Sequence, residues 1–357
     1  MTSPSPPSAP PRRTVLAVLY VALALAAYGL TTWVLAALVP RHVIQVDVKR
    51  EYFAEHKDDY TTVFLGTSMV HRSIVPAEID AGFSALGVEE RSFNFGVNGM
   101  TFAEASLLLD SILASRPAKL RRVVFDANLF TNQTQARKAE LSSRHIWWHT
   151  PEQTYLSVAA MLEATKPWSE RLAEIKVELE AMMLNETATG RAAEYFRVAW
   201  DPGYIAPDVD DDPITGDGFR ALDALRDSPR INRRKFLSRR RDFVRKAPKL
   251  AADLTKRRKK RRTYSEYSTA MLEGLVARST AAGLEVVIYD PPIYDASFKM
   301  PGSLRRVPVV SFNDPKQYPE FYDSEQRHDK NHLNGKGARA LSRAFAAKLM
   351  SVAPVGP

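Results

Sequence analysis

Apolar residues gather along this chain in two rhythms. The first is one unbroken block. Residues 14–39, TVLAVLYVALALAAYGLTTWVLAALV, hold no charged side chain across 26 positions. A helix of that length reaches roughly 39 Å, enough to cross a ~30 Å hydrocarbon core with some tilt. Signal-peptide apolar regions run to about 7–15 residues, so the block predicts an uncleaved anchor, with a cleaved signal peptide as the rival. The second rhythm is a series of short apolar runs that end in polar or glycine residues. Thr61–Leu65 predicts a buried strand; residues 91–99, RSFNFGVNG, a second that runs into glycines; Arg122–Phe125 a third; Leu284–Tyr289 a fourth. Helical stretches alternate with them at Phe102–Leu113, at Tyr264–Ala282 with Gly283 as its stop, and at Gly335–Met350.

This β-turn-α-β alternation predicts an α/β fold built on a doubly wound parallel sheet. Residues 131–262 break it, with amphipathic stretches such as Pro167–Met183 and a Pro/Asp/Gly loop at 201–218. The expected organisation is a disordered Ser/Pro-rich tail at 1–13, the anchor at 14–39 and a polar connector at 40–60. A single domain over 61–357 follows, interrupted by a long, mostly helical insertion at 131–262.

Charge sharpens the picture of that insertion. The chain of 357 residues carries a net +9, yet Arg230–Arg262 alone holds 17 Lys/Arg against 2 Asp. Subtracting that local +15 leaves −6 for the rest. A mildly acidic body thus carries one strongly basic segment, which suits an anionic surface such as phospholipid headgroups. Nucleic acid is not the expected partner, because only Phe236 and Phe243 interleave the run and no recognition module accompanies it. The chain has no cysteine, which excludes disulfides, zinc–thiolate sites and thiol nucleophiles.

Active sites on open parallel sheets lie beyond the carboxyl ends of the strands. Here those ends carry Gly66-Thr67-Ser68, then Asn94, Gly96, Asn98 and Gly99, then Asp126-Ala127-Asn128; Asp329-Lys330-Asn331-His332 precedes the last helix. Acyl transfer by serine needs a hydroxyl, a base about 3 Å away, a group that orients the base, and donors for the oxyanion. Ser68 is the candidate nucleophile, His332 the base and Asp329 its orienting carboxylate. Gly99 and Asn128, with the Ser68 amide, are candidates for the oxyanion hole. Ser68 as a plain helix N-cap is the competing reading.

The ordered set G-x-S, N-x-G-x-x-G, a third-strand Asn and D-x-x-H resembles the SGNH (GDSL-like) hydrolase superfamily. The resemblance covers roughly residues 61–130 and 264–350, and implies an SGNH/flavodoxin-like three-layer fold. Gly-Thr-Ser stands where that family has Gly-Asp-Ser, and Asp126-Ala127-Asn128-Leu129 where it has Gly-x-Asn-Asp. The membrane-anchored branch, similar to polysaccharide O-acetylation and D-alanyl transfer proteins, is the nearest in pattern. It implies a serine acyltransferase or esterase acting on a cell-envelope polysaccharide or glycolipid, with an integral-membrane acyltransferase as partner. It also implies a single-pass protein of the bacterial inner membrane with an extracytoplasmic catalytic domain. Arg12 and Arg13 before the span and Arg41, Lys49 and Arg50 after it do not orient it. A non-catalytic envelope scaffold on the same fold, and a cytoplasmic domain with its basic run on the inner leaflet, are the alternatives.

The other histidines suggest lesser roles. His71 stands one turn after Ser68 and is a candidate pocket residue, and His328 adjoins Asp329 as a rival base. His145 and His149 flank Trp147-Trp148 and read as an insertion-surface or lid patch. No cluster shows metal-ligand spacing, so neither metal nor cofactor is expected. Asn185-Glu186-Thr187 fits a glycosylation sequon, a tripeptide common by chance.

Overall fold

The computed structural model describes residues 12–39, 44–131, 143–163, 166–201, 216–227, 233–257, 262–295 and 298–353. Most of the 1–13 tail, residues 202–215 of the 201–218 loop, and residues 230–232 and 258–261 of the basic run lie outside them.

Five parallel strands form the central sheet: β1 (Thr62–Leu65), β2 (Ser92–Asn94), β3 (Arg122–Asp126), β5 (Glu285–Asp290) and β7 (Val309–Ser311), in the order β2-β1-β3-β5-β7. A parallel sheet is buried on both faces, so its strands read as almost continuous apolar runs. The register Leu65↔Phe125↔Ile288 shows how the pleat divides them. Val63, Leu65, Val123, Phe125 and Ile288 join one core with Leu108, Leu109, Leu272 and Leu275. Phe64, Val124, Val287 and Tyr289 point the other way, to Phe83, Leu341 and Phe345. Helices Phe102–Ala114 and Glu266–Ala281 thus cover one face, and Pro76–Ala85 and Gly335–Val352 the other. Phe345 stands edge-on to both Phe64 and Tyr289, at 5.3 and 5.5 Å between ring centroids. Truncating such a residue to Ala typically costs about 3–5 kcal/mol.

The four strands legible in the apolar pattern are present to within two residues at their starts and ends, except that β2 stops at Asn94. β7 does not stand out in the apolar pattern, because three residues after Pro308 are too short a run. Two further two-residue strands, β4 (Arg262–Thr263) and β6 (Phe298–Lys299), pair with each other apart from the main sheet.

The stretch expected as a polar connector holds a helix, Ile44–His56, whose Val46 and Phe53 enter the first core. It is also pinned by Lys49, which is 1 % exposed. The ammonium donates to the carbonyls of Asn94, Gly96 and Gly218 at 2.8, 2.7 and 2.8 Å. Ahead of it, Arg12–Leu38 is one 27-residue helix. It is long and apolar enough to cross a membrane, and none of its apolar window is buried against the protein. Its far end docks on the insertion, where the Val39 carbonyl accepts from Arg191 Nη1 at 3.2 Å.

Between β3 and β5 lie the helices Ser143–Trp147, Pro151–Glu163, Trp168–Glu186 and Thr189–Trp200, then a 25-residue basic helix, Arg233–Arg257. Asn185 of the sequon is 1 % exposed and donates from Nδ2 to the His149 carbonyl at 3.2 Å, so the folded chain does not present it for glycosylation.

Candidate active site

β1 ends at Leu65, and Gly66 lets the chain turn at once. A Cβ there would lie 2.4 Å from Val70 Cγ2 and 2.5 Å from Asp126 Cβ, closer than packed carbons approach. The short helix Ser68–His71 follows, and its N-cap is Thr67, whose Oγ1 accepts from the Met69 N–H at 3.2 Å. Ser68 is therefore not the cap. Its hydroxyl is left to other partners, and it lies 2.9 Å from His332 Nε2.

His332 comes from the other end of the fold. Asp329 Oδ1 accepts the backbone N–H groups of Asn331 and His332, both at 2.8 Å, which folds the loop into a tight turn. The same carboxylate meets His332 Nδ1 at 3.0 Å through both oxygens. With Nδ1–H donating to Asp329, Nε2 is the acceptor that faces the serine hydroxyl. Burial alone raises the Asp329 pKa, but the hydrogen bond and charge of His332 and the two backbone donors outweigh it. The carboxyl is held well below the usual range. The loop itself is anchored by Arg327, wholly buried, whose guanidinium donates to the carbonyls of Pro292, Phe321, Asp329 and Lys330.

His328, the rival base, lines the same cleft, but its ring packs on Phe236 at 4.2 Å and burial lowers its pKa. His71 does not line the cleft. It is buried beside Lys49, with Nδ1 3.2 Å from the ammonium.

The two oxyanion candidates lie at the expected strand ends and are not among the residues that line the cleft. Gly99 takes a left-handed turn, φ 63°, as its missing Cβ allows. Asn128 turns back on β3: its N–H and Nδ2 both donate to Asp126 Oδ1, at 2.8 and 3.0 Å. Asn98, one residue before Gly99, lines the cleft instead. Its Oδ1 accepts from Arg72 Nε at 3.3 Å, and its carbonyl from Arg144 Nη1 at 2.7 Å.

The cleft encloses about 490 Å³. Besides Ser68, Asp329 and His332, its walls include Arg72, Lys235, Phe236 and Arg239. The basic segment, expected to meet an anionic membrane or polymer surface, also forms part of the cleft wall through the start of its helix. Arg72 had a sequence signal, four residues after Ser68 on one helical turn. Lys235 and Arg239 had none, because nothing local ties a helix in the insertion to the sheet ends.

The cluster of three potential metal ligands found among the described residues, His145, His149 and Glu178, lies in the insertion and does not line the cleft. His145 and His149, expected on the insertion surface, are buried at 7 % and 0 % exposure against helix Trp168–Glu186. No family model and no curated protein matches this chain.

Proposed function

We propose that the protein is a membrane-anchored serine acyltransferase or esterase of the SGNH type, acting on a cell-envelope polysaccharide or glycolipid. The observation that carries this reading is the continuous chain Ser68 Oγ–His332 Nε2–Asp329, at 2.9 and 3.0 Å, which joins the end of β1 to the loop before the last helix, 264 residues on. Such a chain supplies three of the parts that nucleophilic acyl transfer needs: a hydroxyl, a base within reach of it, and a carboxylate that orients the base. The strand order supports it too, since the five main-sheet strands follow the doubly wound pattern 2-1-3-4-5 when counted along the chain.

In this reading Ser68 Oγ attacks the acyl carbonyl as its proton passes to His332 Nε2. The tetrahedral oxyanion collapses, the C–O bond to the leaving group breaks, and His332 returns the proton to the departing oxygen. A sugar hydroxyl or water, deprotonated by the same nitrogen, then attacks the acyl-serine and restores Ser68. Asp329, ionised throughout, keeps Nδ1 protonated and stabilises the imidazolium. Arg72, Lys235 and Arg239 give the cleft a positive wall suited to a substrate bearing carboxylate or phosphate, while Phe236 adds an apolar surface.

An extracytoplasmic domain, beside an integral-membrane acyl donor, fits an envelope substrate. The rest of the basic helix would then lie toward an anionic membrane surface, where each Lys or Arg contributes roughly 1 kcal/mol. A fluorophosphonate probe tests the chemistry. Covalent labelling mapped to Ser68, absent in Ser68→Ala, supports an acyl-enzyme. An unlabelled, folded protein points to a scaffold.

A further inference from the structure

The insertion holds a second constellation of chemistry-bearing side chains. His145, at the short helix Ser143–Trp147, and His149, one turn later, face Glu178 of helix Trp168–Glu186. One ligand atom from each lies within 4.8 Å of the other two, and Glu178 is only 2 % exposed. We propose that these three residues form a divalent-cation site, of the zinc class, that cross-links the insertion.

His149 is short of one hydrogen for the two acceptors around it. Its Nδ1 meets the backbone carbonyl of His145, which can only accept, so Nδ1 carries a hydrogen. In a neutral ring Nε2 is then a lone pair, yet it faces the Glu178 carboxylate at 2.7 Å. Two acceptors that face each other in a dry interior need a proton or a cation between them. A single proton would serve only that pair. A divalent ion would bridge the pair and take a third donor from His145, whose ring centroid lies 4.5 Å from that of His149.

The surroundings fit. Two imidazoles and one carboxylate are a familiar zinc donor set, in which a water commonly supplies the fourth ligand. A metal-bound imidazole commonly donates its other nitrogen to a backbone carbonyl, as His149 does. Tetrahedral ligands at about 2.0–2.1 Å from the ion stand about 3.3 Å apart. The 2.7 Å pair therefore needs to open by only a few tenths of an ångström on each side. Trp148 stacks on His149 at 3.6 Å and seals that side from water.

The site also has a reach beyond itself. Arg144, next to His145 on the same helix, donates to the Asn98 carbonyl and pairs with Glu104 at 2.6 Å. An ion at His145 would thus brace the helix that holds the Asn98–Gly99 loop against the cleft.

The test uses tag-free full-length protein in detergent, stripped with a chelator and titrated with Zn²⁺ by calorimetry, then with Co²⁺ by visible absorption. The expected result is one zinc per chain, a raised unfolding midpoint, and cobalt bands of a four-coordinate N/O site. Glu178→Gln and His145→Ala should weaken zinc at least 100-fold; circular dichroism confirms that each variant is folded. An imidazolium–carboxylate pair without metal predicts no stoichiometric binding and no change in midpoint for the parent protein, which overturns the proposal whatever the variants do. Zinc bound equally well by folded variants overturns it too.

Discussion

Asp126 Oδ2 accepts hydrogen bonds from both the hydroxyl and the backbone N–H of Thr67, the residue directly before Ser68. Its other oxygen accepts from the N–H and side-chain amide of Asn128. One fully buried carboxylate therefore ties the turn after β1 to the turn after β3. Burial raises its pKa, and these four donors partly oppose the shift. Asp126 touches no reacting atom; it sets where Ser68 stands.

Asp126→Asn should therefore lower kcat far more than it raises KM. An amide placed there turns two of its hydrogens toward other donors, and leaving buried donors unsatisfied costs about 1–3 kcal/mol. A fall of about 10- to 100-fold in turnover of a chromogenic acetyl ester is expected. Unchanged kcat would remove Asp126 from any positioning role.

His332→Ala should cost on the order of 10⁶-fold in turnover and Asp329→Asn about 10⁴-fold, because the carboxylate orients the base without moving the proton itself. Steady-state assays of the two purified variants make the comparison. A nearly active His332→Ala would exclude the triad.

The two cleft cations on the basic helix should show themselves through substrate charge. Both side chains are solvent-exposed, so each is worth only a modest factor. Lys235→Gln and Arg239→Gln are expected to raise KM for an ester carrying a carboxylate by about two- to fivefold each. KM for a neutral acetyl ester should stay the same. Equal effects on both esters would mean that these charges do not read the substrate.

Stability should fall as pH rises through neutrality, and Asp80 contributes to this. Burial pushes its carboxyl up to about 7 from 3.8, despite the bond it accepts from the Ser92 N–H. The folded state thus prefers the protonated form. That contribution is full below the unfolded value near 3.8 and is lost as pH climbs through about 7. Asp80→Asn, which can still accept from the Ser92 N–H, should reduce the drop in unfolding midpoint between pH 5 and pH 8. The comparison is made by thermal scans of both proteins at each pH. An identical drop in both proteins would assign it elsewhere.

Whatever depends on residues close in the chain could be read from the sequence. An uncharged 26-residue block determines a helix fit to cross a membrane, because length and composition are local quantities. Apolar runs ending in Gly66, Gly96 and Asn128 mark buried strands and the loops beyond them. Asp329 and His332 are three apart, so their turn and hydrogen bond are also written locally. Contacts that join distant segments required the tertiary structure. Ser68 meets His332 only because β1 and the last helix pack on one sheet. His149 meets Glu178 across 29 residues, at a spacing no metal motif displays. Lys235 and Arg239 reach the cleft because the basic helix folds back over it, and charge patterning cannot distinguish that placement from a membrane-facing one. A side chain's chemistry is local, but its partner is chosen by packing, which sums many weak apolar contacts over the whole chain.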